Sequence, residues 1–198
     1  MAIDSTPPDI KSNSLDIFFA RDYLVPAFQR NYTWGPKEVE NLVDDLIDYF
    51  DNSTVPYYLL GDVILVRCDS SVGYDFEIID GQQRITTLML LFAAVYRFGK
   101  PHDPENEVLK DVWGLVYKHQ KVRVRMSGQA SDTTYAFISG KNMAEVPTET
   151  PSQKAALEAI DVINTKLASR FGDGKIGSLL DFAKVLQKKV YLSSLVLD

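Results

Sequence analysis

Cysteine is almost missing: Cys68 stands alone among 198 residues, which excludes an internal disulfide framework and any cysteine-rich zinc site. Histidine is nearly as scarce. His102 and His119 lie far apart, in no metal-ligand spacing, so this stretch cannot house a histidine-metal nuclease of the His-Asn-His kind. No apolar run is long enough for a bilayer, since the longest is Leu88 to Val95 and a span needs about 20 residues. Positive charge is in deficit, with 21 Lys and Arg against 27 Asp and Glu and a net charge of −6. That argues against an all-over basic surface for nucleic acid and leaves a local patch open. The opening residues carry no basic run before an apolar stretch, so a cytoplasmic protein without a secretory leader is expected. There is no G-x-x-x-x-G-K-[ST] loop, no G-x-G-x-x-G, no G-x-S-x-G elbow and no convincing Cys–His pair. What is present is ordinary globular composition, 45% apolar and 24% charged, in a chain long enough to bury a real core.

Any chemistry therefore rests on other residues, and one stretch stands out. Glu77-Ile78-Ile79-Asp80-Gly81-Gln82-Gln83-Arg84-Ile85-Thr86-Thr87 runs into Leu88 to Val95. It reads as a short apolar strand, a turn at Asp80-Gly81, and a helix apolar almost all round, which belongs inside a core. The first turn of that helix carries Gln82, Gln83, Arg84, Thr86 and Thr87, a heavy polar load for a buried place. Helix N-termini offer unpaired N–H groups and a positive dipole end to anions. Gly81 would let a ligand approach the backbone, and Arg84 would add a forked, permanent charge. A capped helix whose glutamines bond neighbouring loops explains the same residues without a ligand.

The second informative stretch is Val25 to Pro36, which mixes Phe28, Tyr32 and Trp34 with Gln29 and Arg30 in a segment marked by proline and glycine. Aromatic faces beside an arginine suit a nucleobase or another flat ligand. The three rings could equally plug the top of the core.

Elsewhere the pattern gives elements. Residues 1–13 are polar and aperiodic and read as a loose arm. Ser14 opens a short helix, Tyr23-Leu24-Val25 reads as a strand, and Val39, Leu42, Val43, Leu46, Ile47 and Phe50 mark a helix from about 36 to 50. Its acidic face, Glu38, Glu40, Asp44, Asp45 and Asp48, reads as solvated. Tyr57 to Val66 is almost continuously apolar, predicting a central strand buried on both sides, with Gly61 marking a bulge or a close backbone approach. Tyr74 to Ile79 returns as its partner. After a break at residues 99–104, helices are expected over about 104–118 and 130–140 and from a capping box at Thr150-Pro151-Ser152-Gln153. A further helix runs to about Lys189, and Tyr191 to Leu197 reads as a strand. Lys121, Arg123 and Arg125 alternate on what reads as one face of a strand, either an edge guarded by charge or a phosphate contact.

V-P-x-F-Q-R-x-Y-x-W, an L-G-D strand and I-I-D-G-Q-Q-R-x-T-T-L together resemble the N-terminal domain of GmrSD-type modification-dependent restriction and antiphage proteins. The match is strong over about residues 14–97 and covers the remainder only in its order of elements. Ile85 stands where leucine is commoner in the motif. The resemblance implies an α+β fold, a ParB/sulfiredoxin-like small mixed sheet with surrounding helices, followed by a mainly helical half. The expected layout is an arm over 1–13, a nucleotide-binding core over 14–98 and a helical extension of the same domain over 99–198.

The resemblance further implies binding and hydrolysis of a nucleoside triphosphate (GTP, ATP or a pyrimidine nucleotide) with Mg²⁺. Turnover would be coupled to cleavage of modified double-stranded DNA by a separate His-Asn-His nuclease domain. The modification would be a phosphorothioate linkage or a glycosylated base. Membrane association is not expected, and an oligomer is open. In that scheme Arg84, Asp80 and Gln83 would be catalytic, with Asp80 also able to hold the metal ion. Arg30, Tyr32, Trp34, Gly81, Gln82, Thr86 and Thr87 would bind the nucleotide, and Phe28, Gln29, Tyr32, Lys121, Arg123 and Arg125 the DNA. The alternative is a modified-DNA reader with no turnover of its own. Direct nicking of DNA by this chain is the weakest reading, for want of a metal cluster.

Overall fold

The helix expected after Asp80-Gly81 is the axis of the molecule. In a computed structural model that describes residues 9–197 apart from 70, 120, 127–130, 142, 144, 145, 147 and 173, α3 spans Gln82–Gly99. Every residue from Gln82 to Val95 except Arg84 is buried. A helix without a polar face must be surrounded, and here other helices and a sheet enclose it.

The sheet is mixed and six-stranded, in the order β1-β8-β3-β4-β2-β7. These strands are β1 (Asp9–Ser14), β2 (Tyr23–Val25), β3 (Tyr58–Arg67), β4 (Phe76–Asp80), β7 (Val124–Met126) and β8 (Val190–Leu197). β3 runs antiparallel to β4 and parallel to β8, while β2 runs parallel to both β4 and β7. A two-stranded ribbon pairs β5 (Tyr117–Lys118) with β6 (Lys121–Val122). Seven helices are seen among the described residues. Besides α3 they are α1 (Leu15–Phe18), α2 (Pro36–Asn52), α4 (Glu107–Val116), α5 (Ser131–Ser139), α6 (Pro151–Phe171) and α7 (Ile176–Lys189). None is long and apolar enough to cross a membrane. The α+β class with a mixed sheet is as the sequence implies.

Local chemistry explains where helices start. Pro36 begins α2, and the Glu38 carboxylate accepts the Gly35 N–H at 3.1 Å. At α6 the expected capping box is formed: Thr150 N–H donates to Gln153 Oε1 at 3.0 Å and Gln153 N–H to Thr150 Oγ1 at 3.2 Å. Arg170 of α6 forks onto Asp51 of α2, with Nε to Oδ2 at 2.9 Å and a second bond to Oδ1. The Arg170 hydrogen bonds hold the Asp51 carboxyl below the usual carboxylate range, against the opposing effect of burial. A depressed folded-state pKa adds stability above the unfolded value of about 3.9 and loses it as pH falls through the folded one. Arg170→Ala should therefore lower stability by about 0.5–1 kcal/mol at pH 7. In paired denaturation curves the gap between variant and parent should narrow as pH falls below the unfolded carboxyl value of about 3.9.

Three expectations change. Residues 9–14 are not part of a loose arm; they form β1, antiparallel to β8 from Asp9↔Val196 to Ser14↔Tyr191. Main-chain pairing at a sheet edge needs no apolar pattern, so Asp-Ile-Lys-Ser-Asn-Ser hid the strand. Residues 1–8 lie outside the described residues. β3 is central in the strand order but not buried on both sides: Val63 and Leu65 are buried, whereas Leu59 is 53% exposed. The alternation of buried and half-buried residues along β8 likewise reports one face packed into the core. The expected 191–197 strand is present as β8, between β1 and β3. Finally, residues 121–126 are not one alternating strand. They divide into β6 and β7 at Arg123, which turns inward.

Candidate functional site

β2 and β4 run side by side and end at the same side of the sheet, so the Val25–Pro36 loop and the Asp80-Gly81 turn meet there. Gly81 is the hinge of that turn. Its φ of +90° lies in the left-handed region, and a Cβ on it would sit 2.6 Å from Val63 Cγ1. Only glycine meets both demands, and it carries the chain from β4 into α3 against the flank of β3.

The two glutamines that follow tie the loop to the helix. Gln83 Oε1 accepts the Thr33 N–H at 2.8 Å and the Trp34 N–H at 3.2 Å, while its Nε2 donates to the Asn31 carbonyl at 3.0 Å. Gln82 Nε2 donates to the Arg30 carbonyl at 2.7 Å, and Gln29 Nε2 to the Ile79 carbonyl at 3.1 Å. Tyr32 is 1% exposed. Thr87 Oγ1–H donates to the Gln83 carbonyl at 2.9 Å, so Tyr32 is the donor in its 2.8 Å bond to Thr87 Oγ1. Burial pushes the Tyr32 hydroxyl up to about 12.

These ties leave a cleft of about 420 Å³ lined by Gln29, Arg30, Trp34, Asp62, Ile79 and the Asp80–Arg84 turn. Arg30 is exposed at its rim and Trp34 half-buried in its wall. Arg84 Nη1 donates to the Asp62 carbonyl at 3.1 Å. Its guanidinium lies over Gly61, whose φ is +132° and where a Cβ would come within 2.9 Å of Nη1. The close approach expected at Gly61 is thus to Arg84, and the β3–β8 register shifts between Leu59 and Gly61. Asp80 is exposed, with Oδ1 accepting the Gly81 N–H at 2.8 Å. The N-cap position of α3 is Gly81, which has no side chain to cap it. A glycine-started helix with two arginines beside it can hold a phosphate chain.

The structure sorts the expected residues. It brings Gln29, Arg30, Trp34, Asp80, Gly81, Gln82, Gln83 and Arg84 to one cleft. Gln82 and Gln83 are there as clamps, with amides engaged on the loop backbone. Tyr32, Thr86 and Thr87 lie beneath it in the core. Phe28 stands on the neighbouring turn, 77% exposed. The basic trio does not form one exposed face. Arg123 is buried and bonds the Gly114 and Ala20 carbonyls and Asp22. Lys121 pairs with Asp22 at 3.0 Å, and Arg125 is exposed. Asp62, the aspartate of the L-G-D strand, also lines the cleft, although it was not among the expected site residues.

A family model described as the GmrSD restriction endonuclease, N-terminal domain, matches residues 12–198. The chain belongs to that family. Membership places it in a restriction system, and the matched range includes both cleft-forming motifs and the helices beyond them. A comparison with curated proteins gives no match.

Mg²⁺, the ion that the family resemblance implies, would find carboxylate donors in the cleft. Asp62 and Asp80 both line the cleft, and Mg²⁺ is commonly held by one or two carboxylates plus substrate phosphates. No cluster of three or more His, Cys, Asp or Glu is present among the described residues, so the remaining ligands would come from phosphate and water.

Proposed function

We propose that this domain binds and hydrolyses a nucleoside triphosphate in the cleft between the two motifs. The reading further couples that turnover to recognition of modified DNA and to cleavage by a separate nuclease domain. The observation that carries it is the convergence of Arg30, Arg84 and the glycine-started N-terminus of α3 on one cleft with Trp34 and two carboxylates. The first N–H groups of α3 cradle the phosphates, and Gly81 allows the close approach. Arg84, held by the Asp62 carbonyl, and Arg30 neutralise charge that develops on the transferred phosphoryl group, which is usually the largest contribution to such catalysis. Asp80 orients the attacking water. Asp80 and Asp62 would hold Mg²⁺, which would supply further charge neutralisation. Trp34 offers the base a stacking face.

Two measurements check this. A nonhydrolysable triphosphate with Mg²⁺ should change the tryptophan emission of the parent, and Trp34→Phe should remove the change although Trp113 remains. Unaltered binding in an Arg30→Ala, Arg84→Ala double variant would sink the assignment. Gly61→Ala should lower turnover about tenfold, because its methyl group displaces the Arg84 guanidinium and small misplacements of catalytic groups are costly.

A DNA reader without turnover is favoured by one observation, the protrusion of Phe28 beside the cleft. An exposed aromatic at a loop tip suits insertion beside a base. Under this reading, binding to DNA carrying a phosphorothioate or a glycosylated base falls in Phe28→Ala and with salt, while Arg84→Ala leaves it unchanged.

A further inference from the structure

A second cavity, of about 500 Å³, lies against β7 at the edge of the sheet, between that strand and α5. The cleft function does not use it. Its volume is that of a small-molecule site. Met89, Met126 and Ile138 line it with adaptable apolar surface, and Tyr74 and Tyr135 add two aromatic rings. Ser131, Asp132 and Thr134 bring polar groups to it from the start of α5. Arg125, exposed, supplies positive charge at the mouth, whereas the Lys121 ammonium, 4.6 Å from the centre of the Tyr74 ring, is engaged by Asp22 and the Gly73 carbonyl.

Apolar and aromatic walls, donors and acceptors along one edge and a cation at the mouth match one chemistry closely. A nucleobase needs a stacking surface, hydrogen-bond partners on its edge and a counter-charge for its phosphate. We infer that this cavity is a second ligand site, for a nucleobase carrying a 5′-phosphate, distinct from the cleft at the start of α3.

The cavity is also joined to the cleft through Met126. Its sulfur faces Thr86 Oγ1 at 3.9 Å, within the first two turns of α3, and Thr134 Oγ1 at 3.6 Å on α5. Met126 pairs in register with Val25, and the next residues along that strand open the Gln29-Arg30 loop. A ligand that moves Met126 therefore presses on both elements that form the cleft. This deepens the proposed function by giving the nucleic acid, or a free nucleotide, a place from which to act on turnover. The site itself does not depend on turnover being present.

The test reads binding directly. 2-Aminopurine deoxyribonucleoside monophosphate and a short single strand with one 2-aminopurine are titrated separately, following base emission. Parent protein should change the emission of at least one probe. Tyr135→Ala, an exposed position whose fold is checked by circular dichroism, should weaken that response about tenfold through lost stacking. Arg84→Ala should leave it intact. A response to the strand alone identifies a base within nucleic acid, and a response to the monophosphate alone identifies a free nucleotide. No response to either probe, or a response lost in Arg84→Ala and kept in Tyr135→Ala, overturns the inference. Because no turnover is measured, a failure here is distinct from a failure of the nucleotidase reading.

Discussion

Arg84→Ala should lower nucleoside triphosphate turnover by about 10²–10³-fold, the usual loss when one preorganised donor to a transition-state charge is removed. The fold should survive, because the guanidinium is only half-buried and bonds the Asp62 carbonyl, on an exposed residue. The side chain is the exception in an otherwise buried stretch, and Gly61 makes room for it. A residue kept polar and accommodated by a glycine on a facing strand is placed there by the fold. Single-turnover phosphate release, compared with the melting temperature of the same preparation, separates the two effects. A variant that melts like the parent and hydrolyses like the parent contradicts the role assigned to Arg84.

Gln83→Ala should have the largest effect on stability. It removes the acceptor of the Thr33 and Trp34 N–H groups and the donor to the Asn31 carbonyl in one step. Unpaired main-chain groups at a part-buried site cost about 1–3 kcal/mol each where water cannot replace the partner. Thr33 is exposed and can be rehydrated, so a total of about 2–4 kcal/mol is expected. Chemical denaturation gives that figure. The loop that presents Arg30 and Trp34 should also lose protection in hydrogen exchange before the rest of the sheet. Gln83→Glu is the informative partner variant: it keeps the acceptor for both N–H groups, loses the donor to Asn31 and sets a carboxylate oxygen against that carbonyl, so it should recover only part of the loss. Equal losses in the two variants would show that the clamp does not act through Oε1.

Much of this was legible because the patterns were strong. An apolar helix beginning with a polar turn could only be buried with its N-terminus at a surface, and the Asp80-Gly81 step gave the turn before it. What the pattern could not tell was which way each polar residue of that first turn faces. Arg84 reaches the cleft, whereas Gln82 and Gln83 clamp the loop and Thr86 and Thr87 sink into the core. A ligand-facing turn and glutamines bonding a neighbouring loop each describe part of the stretch. Tyr32 followed the core alternative for the loop, and Trp34 lines the cleft. Arg123 was misleading for a different reason: strict alternation predicts a continuous strand only if nothing inside draws a residue inward. Asp22 and two main-chain carbonyls do so.

The most direct measurement is phosphate release from a panel of nucleoside triphosphates with Mg²⁺, with no DNA, plain DNA and DNA bearing a phosphorothioate or a glycosylated base. Parent protein and Arg84→Ala are run side by side. Turnover of at least one nucleotide, raised by modified DNA and lost in Arg84→Ala, is the result expected of a nucleotide-driven sensor. Absence of turnover with every nucleotide, beside tight salt-dependent binding to modified DNA, would contradict the cleft chemistry and leave a reader in its place.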